Sequence, residues 1–170
     1  MIELSRIQHL YAYHRWRVQR MCQVLMEVDD AALHRPLQGS FETLAKLLGH
    51  MIGAERLWME RIKRGLAQQA PIDAQLPSFE GASVQDLATA WRDCAEEWLD
   101  LLLPLSEEWL VKTITYKNTK GEQYSSRLSD VLLHVQNHAT YHTGQLVAVY
   151  RALGLTPPST DYIAYVRLPA

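Results

Sequence analysis

The sequence has 170 residues, of which 48% are hydrophobic and 21% are charged, and its formal net charge is −2. This length and composition suit one domain with a full apolar core, and the balanced charge argues against binding to DNA or RNA, which normally requires a basic surface. We therefore expect a single domain over residues 1–170 with no nucleic-acid partner.

The cysteines and the apolar segments bear on the cellular compartment. Cys22 and Cys94 lie far apart and form no C-x-x-C pair, which is typical of a reduced cytoplasmic protein rather than a disulfide-linked one. The N-terminal residues contain no apolar run of the signal-peptide type, and no apolar stretch approaches the roughly 18 residues that a membrane span needs. We therefore expect a cytoplasmic protein without a membrane segment.

The first predicted element is a long helix, because apolar residues recur at spacings of three and four from Leu4 to Val28. Asp29 and Asp30 are expected to end this helix, and the segment HRPLQGS that follows is predicted to be a loop. Ser40, the last residue of that segment, is a suitable N-cap for a second helix.

The second helix is predicted over about Phe41–Arg64, with Gly65 as its C-terminal stop. Residues 67–82 contain two prolines and little periodicity, so this stretch is predicted to be an irregular connection across the bundle. A third amphipathic helix is expected between its N-cap, Ser83, and Pro104.

A hairpin and a fourth helix complete the predicted architecture. The segment VKTITYKNTKGEQYSS combines β-branched residues with a turn that contains Asn and Gly, which indicates a short β-hairpin. The last long helix is predicted from about Arg127 to Leu153 and ends at Gly154, and a short helical turn is expected over Asp161–Leu168. The sequence thus predicts an all-α four-helix bundle with a short β-hairpin before the last long helix.

Three histidines, His134, His138 and His142, lie four residues apart on the fourth helix. A step of four turns the helix by about 40° and rises about 6 Å, so neighbouring histidines can share an ion whereas the outer two cannot. On the helical wheel, His138 and His142 fall in the centre of the apolar stripe and His134 falls on its flank. We therefore predict a metal site formed by His138, His142 and His50, which lies on the apolar side of the second helix.

Several polar side chains near these positions have more than one interpretation. A lone histidine on an apolar face is usually a hydrogen-bonded core residue, and the inward pair also suits a polar network without metal. Glu55 suits a role as a base or as a hydrogen-bond acceptor for a ligand, and it suits an interhelical salt bridge equally well. His14 is a weaker ligand candidate than His50. The residues expected to support the ligands are His134, Gln145, Glu55 and His14. The sequence assigns no catalytic residue.

Several segments resemble the DinB/YfiT-like superfamily. The segment LSDVLLHVQNHATYHTGQLVAVYRALG resembles its last long helix, whose hallmark N-H-x-x-x-H-R-G-Q is matched by residues 137–145 with Thr143 in place of arginine. TLAKLLGHMIGAERLWMERI resembles the second helix, with His50 at the ligand position. YAYHRW resembles a segment in which asparagine commonly stands where His14 is, ITYKNTKGEQYS resembles the hairpin, and DYIAYVR resembles a C-terminal signature.

The resemblance implies a mononuclear three-histidine site for a divalent ion such as nickel, zinc or iron, and a homodimer. Histidine ligation of this kind leaves open coordination positions, as in catalytic metal sites. The resemblance further implies a small-molecule substrate and a transferase or isomerase that acts with a low-molecular-weight thiol such as bacillithiol or mycothiol. The alternatives are a metal-dependent hydrolase and a non-enzymatic, metal-stabilised binding protein. Thr143 argues against a thiol cofactor, whereas the three ligand positions are intact.

Overall fold

The computed structural model describes residues 3–73, 78–79 and 81–169. Four long helices and one antiparallel two-stranded sheet dominate this part of the chain, which confirms the predicted bundle with a hairpin before the last long helix. In chain order the elements are α1 (Leu4–Leu25), α2 (Asp30–Leu33), α3 (Leu44–Leu66), α4 (Val84–Leu102), α5 (Glu107–Leu110), β1 (Thr113–Lys117), β2 (Gln123–Arg127), α6 (Leu128–Ala152) and α7 (Tyr162–Val166).

The four long helices are not arranged in chain order around the bundle. Helix α1 packs against α4 and α6, and α3 packs against the same two helices, so α1 and α3 occupy opposite corners. In a simple up-and-down bundle, successive helices are neighbours. Here the first two long helices face each other across the core instead. None of the described helices is long and apolar enough to cross a membrane.

The boundaries of α3 differ from the prediction at both ends. Thr43, rather than Ser40, is the N-cap, and its hydroxyl accepts a hydrogen bond of 3.1 Å from the Lys46 amide. Gly65 is not the stop, because α3 continues to Leu66. A Cβ at Gly65 would lie 2.7 Å from the Ile114 side chain, so glycine allows the hairpin to approach the helix.

The other helix ends follow ordinary capping chemistry. Helix α1 ends at Leu25, and Asp29 does not terminate it but caps the short α2, accepting from the Ala32 amide at 2.6 Å. Ser83 caps α4 as predicted and forms a capping box with Asp86. Gly154, with φ at +79°, follows the end of α6. The short turn after it is helical over Tyr162–Val166.

The connection predicted over residues 67–82 is only partly described, because residues 74–77 and 80 lie outside the described part of the chain. Its described residues contain no helix or strand after α3 ends. The hairpin that follows α5 pairs Thr113 with Arg127 and Lys117 with Gln123. It leads directly into α6, so its position is fixed at both ends by long helices.

The core consists of two apolar clusters separated by a polar layer at mid-height. One cluster extends from Val18 towards the C-terminal end of α1, and the other extends from Tyr11 towards its N-terminal end. Between them lie three buried polar side chains, His14, Arg17 and Glu55, which are each at most 2% exposed. Buried polar groups are costly unless they are paired, so this layer requires its own hydrogen bonds.

Candidate metal centre

The side chains of His50 on α3 and of His138 and His142 on α6 meet between the two helices. The Nε2 atom of His50 lies 3.2 Å from that of His138 and 3.2 Å from that of His142, and the latter two are 3.1 Å apart. Among the described residues, this is the one group of three or more histidine, cysteine or carboxylate side chains with donor atoms close enough to hold an ion. The spacing of four on α6 places two rings on one helix face, and the packing of α3 adds the third.

The cluster lies at the edge of the core. His142 is buried, whereas His50 and His138 are half-buried. Phe41 packs against two of the rings, with centroid distances of 5.1 Å to His50 and 5.6 Å to His142. Tyr141 packs edge-on against His142 at 5.0 Å. Aromatic side chains therefore shield part of the cluster while two of its histidines retain partial exposure.

A hydrogen bond fixes the orientation of His142. Its Nδ1 lies 2.7 Å from Oε1 of Gln145, and because an amide oxygen only accepts, Nδ1 carries the proton. The Nε2 atom of His142 is then a lone-pair donor directed at the other two rings. Outer hydrogen bonds of this kind are the usual means by which proteins orient histidine ligands.

The donor set fits a divalent transition metal ion. Ligands of a tetrahedral ion with bonds of 2.0–2.1 Å lie about 3.3 Å apart, close to the separations of the three Nε2 atoms. Burial, together with His142 and His50, lowers the pKa of His138 to about 4, and burial and His142 lower the pKa of His50. Both rings are therefore neutral at pH 7, the form that binds metal. Nitrogen-only ligation suits zinc, nickel, iron or copper rather than magnesium or calcium.

Of the remaining predicted site residues, Gln145 and His134 lie on the same helix as two of the three histidines. Gln145 contacts His142 directly. His134 is exposed, and its ring packs on Trp58 at 5.2 Å and lies 6.0 Å from the ring of His138, so it is outside the cluster. Burial, and to a lesser degree Arg61, lowers the pKa of His134.

His14 and Glu55 pair with each other rather than with the three histidines. Nε2 of His14 lies 3.0 Å from Oε2 of Glu55, in a bond that spans the core between the opposite helices α1 and α3. Burial alone would raise the pKa of Glu55, but the interaction with His14, and then that with Arg17, lowers it below its usual value. Glu55 is therefore engaged in an interhelical hydrogen bond with His14, and the charge of Arg17 also favours its ionised form.

Arg17 is a buried polar residue of this layer that the sequence analysis missed. One guanidinium nitrogen donates to Thr140 Oγ1 at 2.8 Å, and the other donates to His14 Nδ1 at 2.8 Å. Since a guanidinium can only donate, His14 accepts at Nδ1 and donates from Nε2 to Glu55. The available signal was its position three residues after His14, in the same inner stripe of α1.

Comparisons with known proteins agree with this architecture. Residues 1–169 match the DinB family. The chain is 26% identical over 159 residues to Protein DinB of Bacillus subtilis (strain 168), and the match covers 92% of this chain and 91% of that relative.

Three solved structures share the fold. YfiT from Bacillus subtilis, described as a probable metal-dependent hydrolase with an unusual four-helix bundle topology, superimposes with a TM-score of 0.69 at 16% identity and covers 92% of each chain. A DinB-like protein from Bacillus subtilis gives a TM-score of 0.65 at 17% identity, covering 92% of this chain and 98% of that one. A sibling lethal factor precursor, DfsB, gives 0.69 at 13% identity, with coverage of 92% and 99%. At these identities the similarity establishes the fold.

Proposed function

Because the chain belongs to the DinB family, we propose that it is a metal-dependent enzyme in which His50, His138 and His142 hold one divalent ion. The observation that carries this proposal is the convergence of three Nε2 atoms to within 3.2 Å of one another. When bound, such an ion would lower the pKa of a water or thiol at its open coordination position and so supply a nucleophile near neutral pH.

The chain's own residues have defined tasks around such an ion. Gln145 holds His142 in the correct tautomer through their 2.7 Å hydrogen bond. Phe41 covers the rings of His50 and His142 and limits the access of water from its side. The half-buried rings of His50 and His138 leave room for an incoming ligand.

We favour a low-molecular-weight thiol as the nucleophile, which makes the protein a transferase or isomerase. A metal-bound thiol needs little help from a protein base, and no carboxylate joins the histidine cluster among the described residues. Glu55 is occupied by His14, and Cys94 lies 3.8 Å from the same carboxylate oxygen. The protein's own thiols are unsuitable, because burial raises the pKa of Cys22 to about 11 and raises that of Cys94 further.

A metal-dependent hydrolase is the second candidate, and His134 is the observation that favours it. Attack by water needs a base, and the exposed His134 imidazole lies one turn from His138 with ring centroids 6.0 Å apart. YfiT, which shares the fold, is described as a probable metal-dependent hydrolase. In this reading His134 accepts the proton of the attacking water.

Cobalt substitution separates the two candidates. Adding 2-mercaptoethanol to the cobalt-loaded protein should produce a sulfur-to-cobalt charge-transfer band, whereas ethylene glycol, which lacks the sulfur, should not. The band should persist in His134→Gln and disappear in His142→Ala. Absence of the band in a fully loaded protein would reject thiol activation. Ester hydrolysis that is lost in His134→Gln, with metal retained, would instead support the hydrolase.

The remaining expectations about partners and compartment are proposals as well. We propose a cytoplasmic homodimer that acts on a small molecule and does not bind nucleic acid, in line with the net charge of −2. A monomer in light scattering at micromolar concentration would contradict the dimer. A metal-loaded protein that is active with neither thiols nor esters would favour the non-enzymatic alternative.

A further inference from the structure

We propose that a cavity beside the three histidines holds the apolar group of the metal-bound substrate, so that the preferred thiol carries an alkyl or aryl group. This inference rests on the proposed function, because it concerns a molecule that binds the same ion. The cavity has a volume of about 500 Å³, which is within the range of small-molecule sites in proteins. It lies between α3, α6 and the segment of residues 35–41 that precedes α3.

The cavity continues the face of α6 that carries two of the metal ligands. Its lining residues on this helix lie on successive turns: Gln145, Ala148, Val149, Ala152 and Leu153. At about 100° per residue, the mean direction of this stripe lies within about 40° of that of His138 and His142. Ala148 is about 9 Å from His142 along the helix axis, since each residue rises about 1.5 Å. A six-carbon chain that extends from the histidines along α6 therefore enters the cavity.

Two residues belong both to the cavity and to the metal centre. Phe41 lines the cavity, and its ring contacts those of His50 and His142 at centroid distances of 5.1 Å and 5.6 Å. Gln145 also lines the cavity, and its side-chain oxygen lies 2.7 Å from Nδ1 of His142. Both residues are half-buried, so each keeps a surface that a ligand can contact. The cavity and the three imidazoles are thus adjacent parts of one site.

The wall of the cavity favours an apolar group. Four of its apolar residues pack on the core but remain only partly buried: Leu37, Phe41, Val149 and Leu153. No acidic side chain lines the cavity in the described part of the chain, and the one basic side chain, Arg35, is exposed and hydrated. Each methylene that is fully buried on such a surface should raise affinity about fourfold.

Two alanines keep the cavity open on the side of α6. Ala148 and Ala152 lie one turn apart, and each presents only a methyl group to the cavity. The opposite wall is the segment of residues 35–41, which is closed by a 2.8 Å hydrogen bond from the Leu37 amide to the Glu42 carbonyl. Both alanines are exposed, so larger side chains at these positions can fill the space without disturbing the core.

The first experiment compares two thiols that differ only in four methylenes, 2-mercaptoethanol and 6-mercapto-1-hexanol, on the full-length, cobalt-loaded protein. The sulfur-to-cobalt charge-transfer band reports the binding of each thiol and gives its dissociation constant. We expect 6-mercapto-1-hexanol to bind at least about tenfold more tightly, against a ceiling of about 200-fold for complete burial of the four methylenes. Equal affinities, as expected if a second copy of the chain covers the cavity, would overturn the inference and leave thiol activation intact.

Substitutions locate the longer chain. Ala148→Phe and Ala152→Phe should each bring the two affinities to within about threefold of each other, whereas Ala148→Ser should keep the preference. Arg151→Phe is the matched control, because it adds the same ring to an exposed position of α6 outside the cavity, and it should also keep the preference. All four variants should retain one cobalt ion per chain. A preference that survives both alanine-to-phenylalanine changes would overturn the inference.

A second measurement applies if neither thiol gives the band, which is the result that rejects thiol activation. In a methyl NMR titration of the zinc-loaded protein, 1-hexanol should shift the methyl signals of Leu37, Val149 and Leu153. It should not shift those of Leu133, an exposed leucine elsewhere on α6. If the signals of the three cavity residues do not move, the cavity does not take an apolar group and the inference is wrong.

Discussion

Replacing Gln145 by methionine tests whether the outer hydrogen bond of His142 controls metal affinity. The two side chains have similar volume, but methionine removes the oxygen that accepts from Nδ1 at 2.7 Å. Loss of such an outer partner typically lowers metal affinity by about 10–100-fold, or about 1.4–2.8 kcal/mol. Because Gln145 is half-buried, water can partly replace the lost oxygen, and we expect a value in the lower half of this range.

The assay is competition for zinc against a chromophoric chelator, followed by absorbance. Gln145→Glu is the matched control, because a carboxylate keeps the acceptor and should hold or strengthen the affinity. Melting temperatures of the metal-free proteins should agree, since the change leaves the apolar core untouched. If Gln145→Met binds zinc as tightly as the wild type, the orientation of His142 does not depend on this bond and the proposed role of Gln145 is wrong.

Two further predictions concern stability. Gly65→Ala should destabilise the fold by about 1–3 kcal/mol in chemical denaturation, because its Cβ would collide with Ile114 at 2.7 Å. Gly144→Ala should instead stabilise the fold by about 0.5–1 kcal/mol, because no atom lies within 4 Å of the added Cβ. Equal effects of the two substitutions would contradict this account of the hairpin contact. Glu55→Gln should cost about 3–5 kcal/mol at neutral pH, because it removes the buried negative charge that compensates the Arg17 guanidinium. The folded pKa of Glu55 lies below its ordinary value of 4.5, so its contribution is present above that pH and is lost as the pH falls through the folded pKa. Denaturation from pH 7 down to pH 3 should therefore show the cost of Glu55→Gln shrinking, and a constant cost would refute this assignment.

The sequence predicted the elements because their signals are local. The apolar spacing of α1 and α4, the Ser83 cap, and the β-branched residues and Asn/Gly turn of the hairpin each depend on neighbouring residues. The same reasoning placed Ser40 rather than Thr43 at the start of α3. Both residue types suit an N-cap, and only the backbone conformation of the folded chain shows which of them caps the helix. Glycine is common at the end of a helix, which is why Gly65 was predicted to be a stop. Its actual role is to leave room for Ile114, which lies far away in sequence.

The arrangement of the helices and the central polar layer were beyond local signals. Periodicity shows which face of each helix is apolar, but it does not show that α1 and α3 lie diagonally across the core. That diagonal is what brings His14 and Arg17 towards Glu55. On α6 the wheel was sufficient to separate His138 and His142 from His134, because all three lie on one rigid helix.

The most direct test of the central claim is the metal content per chain, measured by mass spectrometry after dialysis against a weak chelator. The wild-type protein should retain one ion per chain, and His50→Ala, His138→Ala and His142→Ala should each retain none, because each removes one of three ligands. His134→Ala is the matched control on the same helix and should retain the ion. Loss of the ion in His134→Ala with retention in His142→Ala, or full retention in all four variants, would contradict the three-histidine centre.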